Sequence, residues 1–81
     1  MENKAKAIKE IKKRFDAKTR EGIAESIIKI CVLNIHSDQY IRTGLVEKTR
    51  SKKNPYLPTD LGMLFLEITK AGKAFNSIPT K

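Results

Sequence analysis

The sequence predicts a mainly helical domain carrying one small β-hairpin, an α+β class. Three observations predict it. Apolar residues recur at helical spacing near both ends of the chain, at Ile8, Ile11 and Phe15 and again from Leu61 to Phe75. Helix-start signals stand at Ser37-Asp38 and Thr59-Asp60. Between them the turn segment SKKNP separates two short stretches that suit paired strands.

The elements follow in order. Ala5 to Phe15 forms a first helix, with Ile8, Ile11 and Phe15 on one face and Lys6, Lys9, Lys12 and Lys13 largely off it. Asp16 to Thr19 is a polar connection. Thr19 is the expected N-cap of a second helix, with Glu21 in its first turn. Ile23, Ile27 and Ile30 then repeat at helical spacing. The stretch IIKICVLNI is so apolar and β-branched that a helix and a buried strand both fit it. Ser37 and Asp38 start a short helix that ends near Thr43, and Gly44 supplies its C-cap.

Leu45 to Arg50 suits a strand, and Tyr56 to Pro58 its return; Pro55 and Pro58 place that return at an edge. Thr59 caps a last helix running to about Asn76, with Leu61, Leu64, Phe65, Ile68 and Phe75 facing the body of the domain. Gly62 and Gly72 weaken that helix by up to ~1 kcal/mol each, and Pro79 lies beyond its end. TDLGMLF and TKAGKAF share T-x-x-G-x-x-F, ten residues apart. The echo leaves Thr59 and Thr69 as two possible starts, and the apolar stripe already present at Leu61 favours Thr59.

At 81 residues the chain makes one domain, residues 1–81, near the lower size limit for unaided folding. Its net charge of +8, from 17 basic and 9 acidic residues, points to a polyanionic partner, nucleic acid first. The single Cys31 excludes an internal disulfide and a cysteine metal cluster, and suits a small buried hydrophobe. No apolar run is long enough for a membrane span, and MENKAKAIKEIKKRF lacks the apolar core of a signal peptide. The expectation is a soluble, cytoplasmic protein in a reducing compartment, with no membrane partner. No phosphate-cradling glycine loop, metal-ligand spacing or nucleophile–base pair is present, so no enzyme, cofactor, metal or small-molecule ligand is expected. Glu21 and Glu25 suit a helix surface. His36, Tyr40 and Tyr56 suit boundary and core-edge positions.

Three segments carry a family resemblance. GIAESI is similar to the first helix of a helix-turn-helix, GLVEKTRS to the exit from its recognition helix, and YLPTDLGMLF to the closing strand and start of the last helix, with Pro58 where leucine is usual. In this order and spacing the chain resembles the winged helix-turn-helix family over nearly its whole length. The resemblance implies three helices, a wing hairpin at about residues 45–58, and a C-terminal helix at about residues 60–76. It also implies sequence-specific double-stranded DNA binding by a transcriptional regulator. Helix-turn-helix spacing puts the recognition helix at about Val32 to Thr43; a cap at Ser37 instead gives a longer second helix and a short third one.

Five cations fall between Arg42 and Lys53, with Glu47 the only acid. As a wing, Lys48, Arg50, Lys52, Lys53 and Asn54 would lie on DNA phosphates. Asn34, Ser37, Gln39 and Arg42 are the expected base-reading set. Lys18, Thr19 and Arg20 sit at an expected helix start, where phosphate is favoured. Met63 and Leu66 fall off the last helix's main stripe and are the expected homodimer contacts. A protein-interaction winged helix with an acidic partner, or a sequence-independent DNA or RNA binder, are the alternatives.

Overall fold

The computed structural model describes residues 2–77. Among them the order is α1 (Glu2–Arg14), α2 (Ala17–Leu33), α3 (Asp38–Arg42), β1 (Val46–Lys48), β2 (Tyr56–Pro58), α4 (Asp60–Glu67) and α5 (Lys70–Ser77). The mainly helical chain with one antiparallel strand pair is as expected, but five helices replace the expected four. Pro79, expected past the last helix, lies outside the described residues.

The central element is α2. Its Ala24, Ile27 and Ile30 are buried on one face, so the ambiguous apolar stretch is helix down to Leu33. Its N-cap is Asp16 rather than Thr19: the Asp16 carboxylate accepts the Thr19 N–H at 2.8 Å. Thr19 is therefore the third helical residue, the usual donor to a capping side chain. The far end stops at Asn34, left-handed at φ 56°, where the N–H groups of Asn34 and Ile35 both reach the Ile30 carbonyl.

Ile11 of α1 and Phe15 just beyond its end pack on the core, and the Phe15 ring meets Phe65 of α4 edge to face at 5.7 Å. The Arg20 guanidinium of α2 binds the end of α1, donating to the Phe15 carbonyl at 2.6 Å and the Lys12 carbonyl at 3.4 Å. Two of the orphan carbonyls at a helix end are thus met by a cation. Burial pushes the Cys31 thiol above its ordinary pKa, in keeping with its partial packing against the core.

The last helix is two helices, and Thr59 and Thr69 each start one. Thr59 Oγ1 accepts the Gly62 N–H at 3.2 Å, and Thr69 Oγ1 accepts the Gly72 N–H at 3.1 Å. The glycines are steric requirements. A β-carbon on Gly62 would meet the Leu45 carbonyl oxygen, and one on Gly72 would fall on the Leu66 backbone. The start of α5 is capped from outside by Glu21 of α2. Its two carboxylate oxygens accept the Lys70 N–H at 2.7 Å and the Ala71 N–H at 3.0 Å. With Thr69 on Gly72, the first three free donors of α5 are all satisfied. Those N–H groups hold the Glu21 carboxyl below its ordinary pKa. Glu21 is thus a tertiary cap, not the plain surface carboxylate expected.

The buried face of α4 is wider than the expected stripe: Phe65 is buried and Leu64 and Ile68 pack on the core as expected, but Leu61 is exposed. Gly62, Phe65 and Leu66 face inward, with Thr69 just beyond. Leu66 is 1% exposed and Leu61 38%. Of the expected dimer pair only Met63, 45% exposed, is at the surface. Leu66 fills the chain's own core and offers nothing to a second copy.

Candidate nucleic-acid interface

The hairpin is anchored by its inward side chains. β1 and β2 run antiparallel, pairing Val46 with Pro58, Glu47 with Leu57 and Lys48 with Tyr56. Val46 and Tyr56 are buried in the core, while Glu47, Lys48 and Leu57 are exposed. Gly44 turns the chain into β1 with φ 79°, and the Leu45 N–H reaches back to the Tyr40 carbonyl at 3.0 Å. The Thr59 hydroxyl also donates to the Gly44 carbonyl, tying the start of α4 to the start of the hairpin.

Residues 49–55 form a folded tip. The Thr49 N–H donates to the Pro55 carbonyl at 2.7 Å, extending the ladder by one bond. The Thr49 hydroxyl donates to the Asn54 carbonyl at 2.6 Å and accepts the Ser51 N–H at 3.1 Å; Ser51 Oγ accepts the Asn54 N–H at 3.1 Å. Thr49 and Ser51 thus fix the path of the tip, a role that turn composition alone did not reveal. Around them Lys48, Arg50, Lys52, Lys53 and Asn54 are all exposed. Among the described residues the salt bridges are Lys4 to Glu67, Arg14 to Glu10 and His36 to Asp38, and none takes a cation of the tip.

Beside the hairpin lies α3, five residues long and burying none of them. Ser37 is its N-cap, accepting the Tyr40 N–H at 3.4 Å, so its hydroxyl is engaged by its own helix. The longer recognition helix from Val32 is excluded by the break at Asn34. Gln39 and Arg42 are exposed on α3, while Tyr40 and Ile41 turn toward the core. Asn34 is exposed and shares a cleft of about 260 Å3 with Lys53 and Asn54. The structure therefore brings Asn34 to the hairpin and leaves Gln39 and Arg42 on α3.

His36 joins the two elements. Its Nδ1 lies 2.9 Å from the Tyr56 hydroxyl of β2 and its Nε2 lies 2.8 Å from Asp38 Oδ1 of α3. Its ring meets Tyr56 edge on at 5.8 Å. A residue expected only at the boundary is the strut between α3 and the hairpin base. A lone histidine carries no spacing signal, so nothing local marked it.

The expected phosphate site at Lys18, Thr19 and Arg20 is not formed. The α2 N-terminus is closed by the Asp16 carboxylate, held below its ordinary pKa first by the Thr19 side chain and then by its N–H. Arg20 is half-buried on the end of α1, and of the two cations only Lys18 is exposed. An anion there would meet a carboxylate in the place it needs. Among the described residues no cluster of His, Cys, Asp and Glu is placed to hold a metal ion, and no helix is long and apolar enough to cross a membrane. Compared with family models, curated proteins and solved structures, the chain has no match.

Proposed function

We propose that the chain is a winged-helix protein that binds double-stranded DNA, with no catalytic step of its own. The observation that carries this reading is the tip at residues 49–55. Its backbone is fixed by its own hydroxyl groups, its cations are exposed, and none of them has an acidic partner among the described residues. A tip whose backbone is already fixed has less to order on meeting a phosphate, and its unpaired cations release counterions from the duplex. Asn34, at the end of α2, shares a cleft with Lys53 and Asn54 of the tip, and Arg42 stands exposed on α3. Their chemistry suits phosphate and base edges.

Phosphate contacts dominate on this reading. A five-residue α3 with its cap serine engaged leaves Gln39 and Arg42 as its main polar readers. Sequence preference is accordingly modest, and binding with little sequence dependence is the second reading that this short helix favours. A role in transcriptional regulation, as a homodimer, belongs to the same proposal. With Leu66 inside the domain, Met63 is the remaining expected contact on α4.

Fluorescence anisotropy of a labelled duplex, titrated at several salt concentrations, tests the proposal. Engagement of four or five cations predicts a log–log salt slope of about −4. Selection from a random duplex pool then ranks the two readings by whether a shared motif emerges. Absence of duplex binding at low salt, with the protein folded, overturns the proposal.

A further inference from the structure

A groove of about 470 Å3 opens between α1, α3 and α4, on the side of α3 that faces α1. Its size is that of a small-ligand pocket, roughly 300–1,000 Å3. Phe15, Ile23 and Phe65 line its apolar interior, Tyr40 of α3 forms a wall, and Leu61 stands at the rim. Leu61 is among the large apolar residues that this small domain leaves exposed. The chain therefore holds a cup of aromatic and aliphatic surface open to water next to α3, the shortest of the described helices.

The mouth of the groove is polar. Arg14 and Glu10 of α1 stand there as an exposed ion pair at 3.1 Å. The pair uses only the Nε of Arg14. A guanidinium has five N–H donors in a planar fork, so Arg14 keeps donors for a second carboxylate-like group. The charged lining, Glu10 with Arg14, is balanced, and Lys12 lies with Lys6 and Lys9 on another face of α1. The preference for an anion over a cation rests on the unused donors of Arg14, within a chain of net charge +8.

We infer that this groove binds a small amphipathic anion: an aromatic or branched apolar body ending in one carboxylate or sulfonate. Arg14 takes the acid group, and Phe15, Tyr40 and Phe65 surround the body. Occupancy also steadies α3. Five residues do not hold a helix alone, and this one packs on the core only through half-buried Tyr40 and Ile41, so added apolar contact on Tyr40 strengthens an anchor that is incomplete. The importance of that step for function rests on the DNA reading above.

The test uses two fluorescent probes on the full chain, the anionic anilinonaphthalene sulfonate and the neutral N-phenylnaphthylamine. Both are expected to bind saturably at one site, with fluorescence that disappears on unfolding in urea. Arg14→Gln should weaken the anionic probe about tenfold and leave the neutral one unchanged. Ala7→Trp, at the groove wall, should remove both; Leu61→Trp at the exposed rim does the same job should the first variant lose its cooperative melt. Absence of saturable binding to the folded wild type overturns the inference. So does binding untouched by the filling variants, which places the probe elsewhere, or an equal loss of both probes in Arg14→Gln. No DNA enters these titrations. A failed titration leaves the DNA reading standing, and a protein that takes up probe but no duplex does the reverse.

Discussion

Thr69 sets the corner between α4 and α5, and Thr69→Val isolates the work of its hydroxyl. The residue is 1% exposed. Its Oγ1 donates to the Phe65 carbonyl at 2.7 Å and accepts the Gly72 N–H at 3.1 Å. Valine keeps the β-branched shape, so no cavity opens. The Phe65 carbonyl loses the hydroxyl that donates to it. The Gly72 N–H is buried and left without an acceptor, which costs about 1–3 kcal/mol. Glu21 still holds the two N–H groups before it, so the lower part of that range, about 1–2 kcal/mol, is expected. For a domain this small, each kcal/mol lowers Tm by about 4–8 °C, giving a drop of about 5–15 °C. Urea unfolding followed by far-ultraviolet circular dichroism should show a lower midpoint at unchanged slope. A Thr69→Val protein within about 0.5 kcal/mol of wild type would refute the capping role assigned to this hydroxyl.

Further outcomes follow from the same contacts. Leu66→Glu places a carboxylate in the core and should unfold the domain, losing its cooperative melt; a folded Leu66→Glu protein that has merely changed oligomeric state would restore Leu66 to a surface interface. Asp16 and Glu21 have folded-state pKa values below the ordinary carboxylate range, so the stability they add is present above that range, about pH 4, and is lost as pH falls through the depressed values. Urea midpoints taken from neutral to acid pH should fall less steeply in Glu21→Gln than in wild type, and parallel curves would count against the tertiary cap. Gln39→Ala and Arg42→Ala should each cost about 1–3 kcal/mol at one base pair of a selected site and little elsewhere; a uniform loss across duplexes would assign them to phosphate instead.

Local signals carried much of the fold. Ser37 and Thr59 cap the helices they were expected to cap, and the basic turn sits on a hairpin; the C-cap of α3 is Thr43, with Gly44 taking the left-handed turn just after it. Where local reading failed, the deciding partner was distant or had no hydrophobic side chain. The stripe on α4 was counted from Leu61, Leu64 and Phe65, but the helix turns Gly62 inward because its bare α-carbon lies against the Leu45 backbone. That approach buries Leu66 and Thr69 beside the expected Leu64, Phe65 and Ile68, and leaves Leu61 exposed. The repeated T-x-x-G was visible in the sequence. Its meaning as two helix starts was not, since Glu21, which caps the second start, lies 49 positions from Lys70. Asp16 displaced Thr19 as N-cap by one turn, since both residue types cap well and only the backbone decides between them. At the candidate interface the cations were legible as a charge run. The Thr49 and Ser51 bonds that order the tip, and the His36 strut, arise from contacts that no spacing rule marks.

The central claim, that the hairpin tip meets DNA phosphates, is tested most directly by the salt dependence of Lys52→Gln/Lys53→Gln. Both side chains are exposed and neither is in a salt bridge among the described residues, so the double variant should fold as wild type does. Anisotropy titrations of one duplex across a range of salt should give a log–log slope shallower by about 1.8, two phosphate contacts at about 0.9 each. An unchanged slope in the folded double variant would contradict the claim and remove the tip from the DNA contact surface.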